Sequence, residues 1–307
     1  MKPWMSPFRR ECEKAVILAG LSLSIVLSGC ATPRSTPLDP EIKLLAGTAA
    51  TAYQRGEMDR ADELYRKARQ RARLIDDPGE VARNTYNLAL CRTAQGRLNE
   101  ARSLLKQAGA LTGNKGVDAS RILLAEAEVA RLSGESAESG RLACEALAAG
   151  SDREGRVQAL LLQGEAEAAV NRLPEARTHF KAAQSGATDR TPALVRARLE
   201  ALAVRLIQAK LVSGDEAARQ LSRAQWLKKA GQFRMMVQAL DGAAQRYEQD
   251  SKWNEAFQCR LRATQSLLAA GDKVSALAML RKADELAERS GEDGNKALVM
   301  GLAGEMQ

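Results

Sequence analysis

Small and apolar residues recur along this chain in a frame set by turn residues. Five, nine and twelve places on, Gly56 is followed by Ala61, Tyr65 and Ala68, Gly96 by Ala101, Leu105 and Ala108, and Gly134 by Ser139, Ala143 and Ala146. In the same frame Asn171 is followed by Ala176, Phe180 and Ala183, Gly231 by Met236, Leu240 and Ala243, and Gly271 by Ala276, Leu280 and Ala283. These positions stand at i, i+4 and i+7, one stripe of a helix, with polar residues between them. Seven places before each turn residue stands another small residue: Ala49, Ala89, Ala127, Gly164, Ala224 and Thr264. Side chains that small let two helices approach closely, so each unit reads as helix, turn, helix, with both helices touching through the small positions.

That frame resembles the tetratricopeptide repeat family, in which a small residue in helix A, a Gly-type turn, and Ala, a large apolar residue and Ala in helix B recur in register. Gln95-Gly96-Arg97-Leu98-Asn99-Glu100-Ala101 and Arg55-Gly56-Glu57-Met58-Asp59-Arg60-Ala61 are close matches. The helix A tryptophan position departs from the family, reading Leu45, Thr85, Leu123, Leu160, Gln220 and Arg260, and the closing proline is mostly missing. Turn residues are 40, 38 and 37 apart among the first four units, against about 34 in the family. The resemblance implies an all-α, TPR-like α-solenoid.

Between Asn171 and Gly231 the interval widens to 60 residues. The stretch 191–213, rich in Ala, Leu, Val and Arg, reads as a long helix without a clear partner. Two organisations follow. Either a first repeat block (41–187) and a second (215–307) are joined by a linking helix within 188–214, or one solenoid runs through an irregular middle pair. Residues 295–306 read as a helix capping the last apolar face, which a repeat array needs.

Upstream of the repeats the pattern changes. Lys2, Arg9, Arg10 and Lys14 precede an uncharged segment from Ala15 to Leu27, the order of a secretory signal. Its 13 residues fall short of the roughly 20 that a spanning helix needs. Leu27-Ser28-Gly29-Cys30 resembles the lipobox of bacterial lipoprotein precursors. The resemblance implies a signal peptide over 1–29 and acyl chains, palmitate among them, on Cys30. Several chains together make a stable anchor, each buried methylene adding about 0.8 kcal/mol. Residues 30–40 carry three prolines and read as a tether, about 30 Å long if extended at about 3.1 Å per residue. Ala31 after the cysteine, by resemblance to Gram-negative lipoproteins, favours the outer membrane, facing the periplasm.

Composition narrows the class further. Only 4% of residues are aromatic, and Ala, Leu, Arg, Glu and Gln dominate, all strong helix formers. The net charge is +8, or +6 without residues 1–29. That surplus suits acidic peptides, anionic lipid or anionic wall polymer, while the absence of a Lys/Arg block interleaved with aromatics argues against nucleic acid. Cys91, Cys144 and Cys259 are odd in number and read as small hydrophobes rather than a disulfide framework.

Motifs for chemistry are missing. One histidine, His179, must serve any triad, and no Cys/His spacing fits zinc. The glycines of 109–116 lack the Lys-Ser/Thr end of a phosphate loop. The expectation is therefore no enzyme, no metal and no cofactor. By the TPR resemblance the working surface is a groove lined by helix A residues: Arg83, Tyr86, Asn87 and Leu90 in the second unit, and Arg121, Leu124, Glu128 and Arg131 in the third. Arginine offers a planar fork of donors to a carboxylate, and an amide can hold an extended backbone. Trp226, Phe233, Tyr247, Trp253 and Phe257, five of the nine aromatics beyond the signal, read as the core of the second block.

The sequence thus reads as a lipid-anchored scaffold or adaptor that holds a protein or peptide partner in the cell envelope. Resemblance to repeat lipoproteins points to outer-membrane protein assembly, pilus or secretin assembly, or cell-wall synthesis. The alternative is an envelope enzyme or wall-polymer binder that uses the repeat as a frame.

Overall fold

The computed structural model describes residues 39–111 and 116–306, so Cys30 and the signal segment lie outside the described residues. Fourteen helices and no strand occur among the described residues. The first eight form pairs: α1 (Pro40–Gln54) with α2 (Met58–Leu74), α3 (Pro78–Ala94) with α4 (Leu98–Ala110), α5 (Ala119–Leu132) with α6 (Ser136–Ala148), and α7 (Arg153–Ala169) with α8 (Leu173–Gly186). Then follow α9 (Ala193–Gln208), α10 (Glu216–Lys229), α11 (Phe233–Gln249), α12 (Trp253–Ala269), α13 (Lys273–Ser290) and α14 (Asp293–Glu305). The architecture is the expected all-α, TPR-like α-solenoid, and residues 41–307 form one compact unit.

Each helix A ends where the frame places its turn. Gly56, Gly96, Gly134, Asn171, Gly231 and Gly271 all have φ between +61° and +80°. The next residue's N–H then reaches back five places to a helix carbonyl, at 2.8–3.0 Å in all six turns. This closure satisfies carbonyls that a helix end leaves free and suits residues with little steric penalty at positive φ. Starts are fixed too: the Asp77, Asp152 and Asp215 carboxylates accept from the backbone N–H three residues on, at the heads of α3, α7 and α10.

All eighteen framed positions of the B helices are buried, and so are the six small positions of the A helices. The apolar clusters follow from this. Each of the first four lies between one helix pair and the next A helix: α1/α2/α3 around Tyr65, α3/α4/α5 around Leu105, α5/α6/α7 around Leu162 and α7/α8/α9 around Phe180. In the fourth unit the small position is Gly164, where an added Cβ would stand 3.0 Å from Leu202 Cδ2 of α9 and 3.5 Å from His179 Cβ of α8. His179 therefore sits at the contact between the two helices of its unit.

The segment read as a long helix without a partner is shorter and does have partners. Helix α9 packs against α10, α8 and α7. It stops at Gln208 because Lys210 takes φ +57° and the Leu211 N–H reaches back to the Leu206 carbonyl at 2.9 Å. The next core joins α9, α10, α11 and α12 around Leu227, and the last joins α11 to α14 around Phe257. Tyr247 and Trp253 pack on the last core and Trp226 on the one before it, whereas Phe233 is exposed. Helix α14 lays Val299 and Leu302 against the final core, and Met306 at its C-cap joins them.

Three substitutions test this account by urea denaturation. Leu105→Ala costs about 2–5 kcal/mol through the cavity it leaves in the α3/α4/α5 core. Gly134→Ala costs about 1 kcal/mol at its positive φ, whereas Lys210→Gly stabilises by about 0.5 kcal/mol by relieving the same strain at the end of α9.

Candidate functional site

The predicted groove residues lie on α3 and α5, and the structure divides them into three groups. Arg83 and Arg121 are exposed. Arg83 pairs with Glu80 at 2.6 Å, and its Nε–H points toward the Gly116 carbonyl at 3.4 Å. Tyr86 and Leu124 belong to the core: Tyr86 packs with Ala89, Ile122 and Val129, and Leu124 with Ala127 and Leu162. Burial pushes the Tyr86 phenol up, against the pull of Arg121, whose guanidinium lies 5.8 Å from the ring centroid. Tyr86 thus supports Arg121 from below. Asn87 and Leu90 are half-buried beside them.

The third group, Glu128 and Arg131, is held in an ion-pair network that crosses three helices. Arg131 donates a two-pronged pair to Glu128, at 2.6 and 3.1 Å, and its Nε lies 3.9 Å from Glu165 of α7. Arg198 of α9 reaches both carboxylates, donating to Glu128 at 2.9 Å and gripping Glu165 with two nitrogens. Burial pushes the Glu128 carboxyl up, but hydrogen bonds and charges from Arg131 and Arg198 outweigh it and hold it below the usual carboxylate range. Burial likewise disfavours the Arg198 cation, and bonds to Glu165 and Glu128 override that, raising its pKa. Two positive and two negative charges thus cancel on the α5–α7–α9 face. Arg83 is likewise matched, to Glu80, so the cationic character expected of the groove resides on Arg121.

Sequence reasoning missed Glu165 and Arg198. A signal existed for the first: Glu128 stands six places before Gly134, and Glu165 six places before Asn171. Two further networks tie neighbouring helices. Arg92 of α3 bonds Asp62 of α2 at 2.8 Å and approaches Glu100 of α4 at 3.4 Å. Arg260 of α12 pairs with Asp241 and with Glu248 of α11.

Among the described residues no group of three or more His, Cys, Asp or Glu is placed to hold a metal ion. Burial pushes the Cys91 and Cys259 thiols up to about 11, while Cys144 is an exposed thiol. Among the described residues no helix is long and apolar enough to cross a membrane.

The family described as tetratricopeptide repeat matches residues 44–112, from α1 to just beyond α4. No curated protein matches significantly. Among solved structures, a Rap protein complexed with competence and sporulation factor is 14% identical, with 87% of this chain and 76% of that one covered and a TM-score of 0.45. A tetratricopeptide repeat protein from Parabacteroides merdae is 16% identical, with 85% of this chain and 100% of that one covered and a TM-score of 0.41.

Removing Arg198 leaves two carboxylates in a half-buried site with Arg131 as the one remaining cation of the network. Arg198→Met is expected to cost about 3 kcal/mol, and Glu128→Gln/Glu165→Gln in the same chain to recover most of it. Because the folded Glu128 carboxyl is depressed, its contribution is present above its unfolded pKa of about 4.3 and fades as pH falls through the lower folded value. The stability gap between wild type and Arg198→Met should therefore hold from neutral pH to about 5 and narrow below about 4 in denaturation series.

Proposed function

We propose that this chain is a lipid-anchored scaffold of the cell envelope. It is moored through Cys30, faces the periplasm from the outer membrane, and holds a protein or peptide partner without chemistry of its own. The observation that carries the reading is the exposed pair Arg83 and Arg121 on successive A helices, underlain by Tyr86 and flanked by Asn87. An extended peptide laid across α3 and α5 meets the Arg121 guanidinium fork for a carboxylate, the exposed edge of Arg83 beside its partner Glu80, and an amide for its backbone. The tetratricopeptide match covers the two units that contribute α3 and α4 and their predecessors, and repeat arrays present such surfaces on stacked helices. On α5, α7 and α9 the charges are already matched to one another, so that part of the face offers a partner shape rather than charge. The lipobox-like Leu27-Ser28-Gly29-Cys30 and the proline-bearing tether supply the mooring.

Two measurements test the two halves of this reading. Affinity capture from detergent-solubilised envelope should return a partner with wild type and lose most of it with Arg83→Ala/Asn87→Ala/Arg121→Ala; the same partners at the same yield would remove the groove assignment. Palmitate should label the wild type and not Cys30→Ser, and label persisting in that variant would overturn the anchor.

A further inference from the structure

Helix α9 interrupts the alternation of A and B helices, and beside it lies a cavity of about 160 Å³ between α8, α9 and α10. Its apolar wall is Phe180 and Leu199, both buried. Its polar lining includes Arg196 and Glu200 of α9 and Arg219 and Trp226 of α10. Glu200 is already served, accepting from Arg219 at 2.9 Å and from the Ser222 hydroxyl at 3.2 Å. Arg196 is not. Its Nε–H is buried with no acceptor, and its one ion pair is a 3.4 Å contact with Asp189, whose side chain is fully exposed. An exposed pair at that distance offsets little of the charge.

Trp226 adds to the imbalance. The Arg196 guanidinium lies 4.5 Å and the Lys229 ammonium 4.4 Å from the indole centroid. Two cations share one ring, while the pocket's single carboxylate is spent on Arg219. A weakly paired guanidinium fork beside an apolar wall matches a carboxylate on a small hydrophobic body. The volume equals the share of about five liquid waters, at about 30 Å³ each, which suits a short branched acid or one terminal residue. A dianion would exceed the one charge left uncompensated inside the pocket.

We propose that this cavity is a binding site for an apolar monocarboxylate, held by Arg196 against Phe180, Leu199 and Trp226. The carboxylate pairs with the Arg196 guanidinium where it lines the cavity, and the hydrocarbon part fills the remaining volume. The carboxylate can come from a chain terminus of a protein or from a free short-chain acid. The site uses helices other than those of the Arg83 and Arg121 face, so it stands or falls separately from the scaffold reading.

The test uses the full chain in detergent with Trp4→Phe and Trp253→Phe, so that Trp226 emission reports the cavity. N-acetyl-leucine should change that emission saturably, and N-acetyl-leucinamide should bind at least about tenfold more weakly, the worth of a hydrogen bond to a charged group. Arg196→Gln should weaken the acid by a similar factor and leave the amide unaffected. Ala187→Leu, which fills the cavity, should abolish both responses while far-ultraviolet circular dichroism stays unchanged. A hexapeptide ending in leucine with a free carboxylate separates the sources. Tighter binding than the acetylated residue identifies a chain terminus, and weaker binding identifies a free acid. Equal binding of acid and amide, no saturable response, or an acid response that survives Arg196→Gln would each overturn the proposal. Because the comparison of acid and amide is made on chain with Arg196 intact, the result does not depend on how well the variants fold.

Discussion

Close approach between helix A and helix B, permitted by small side chains at fixed points, is the constraint on which the rest depends. Ala49, Ala89, Ala127, Gly164, Ala224 and Thr264 meet B helices whose first and third framed positions are nearly all small as well. Little apolar surface is buried at any one of these points, so no pair of helices holds itself together. The larger residues between them, Tyr65, Leu105, Phe180 and Leu280, instead reach forward into a core completed by the helix that follows. Stability is thus shared between neighbours, as expected of an array in which each unit buries its face only when the next is present.

The same constraint explains which parts were legible. A turn that needs positive φ favours Gly or Asn, and a helix contact that needs a small side chain favours Ala, so both leave marks in the chain. The six framed turns and eighteen B positions were visible for that reason. The closures after α2, α9 and α11 were not, because Asp76, Lys210 and Ser251 adopt positive φ without announcing it. The sequence therefore overstates the length of α9 and hides the neighbours it packs against. A non-glycine residue at positive φ is strained locally, and only the packing on either side holds it there.

For the site, the division between the legible and the hidden is between backbone and side chain. Placing Arg83, Asn87, Arg121, Glu128 and Arg131 on one face of successive A helices required only the repeat. Whether each is free required knowing what stands opposite, and Arg198, 67 residues beyond Arg131 in sequence, stands opposite two of the family-aligned carboxylate and arginine positions. Tyr86 shows a second route to the same difference: its position faces the groove in the family pattern, but here the ring turns into the core and supports Arg121 from beneath. A repeat specifies which helix and which turn, while the identity of the neighbour decides whether a charge is spent or available.

This distinction bears on how the surface divides its work. Where A helices follow in strict register, from α3 to α9, acidic and basic residues can be matched across helices, and in the α5–α7–α9 stretch they are. At α9 the register breaks, because α10 carries the helix A frame immediately after another helix that already packs on α7 and α8. There the pairing is incomplete: Glu200 is saturated by Arg219 and Ser222, while Arg196 keeps a buried donor with no acceptor. An interruption that costs the array its periodicity thus leaves both an unfilled volume and an unmatched charge at one point. A regular stack has no reason to produce the two together, since its matched contacts close volume and pair charge with the same side chains. The break in the repeat thus accounts for both features of the cavity at once, whereas the extended face on α3 and α5 follows from the regular stack.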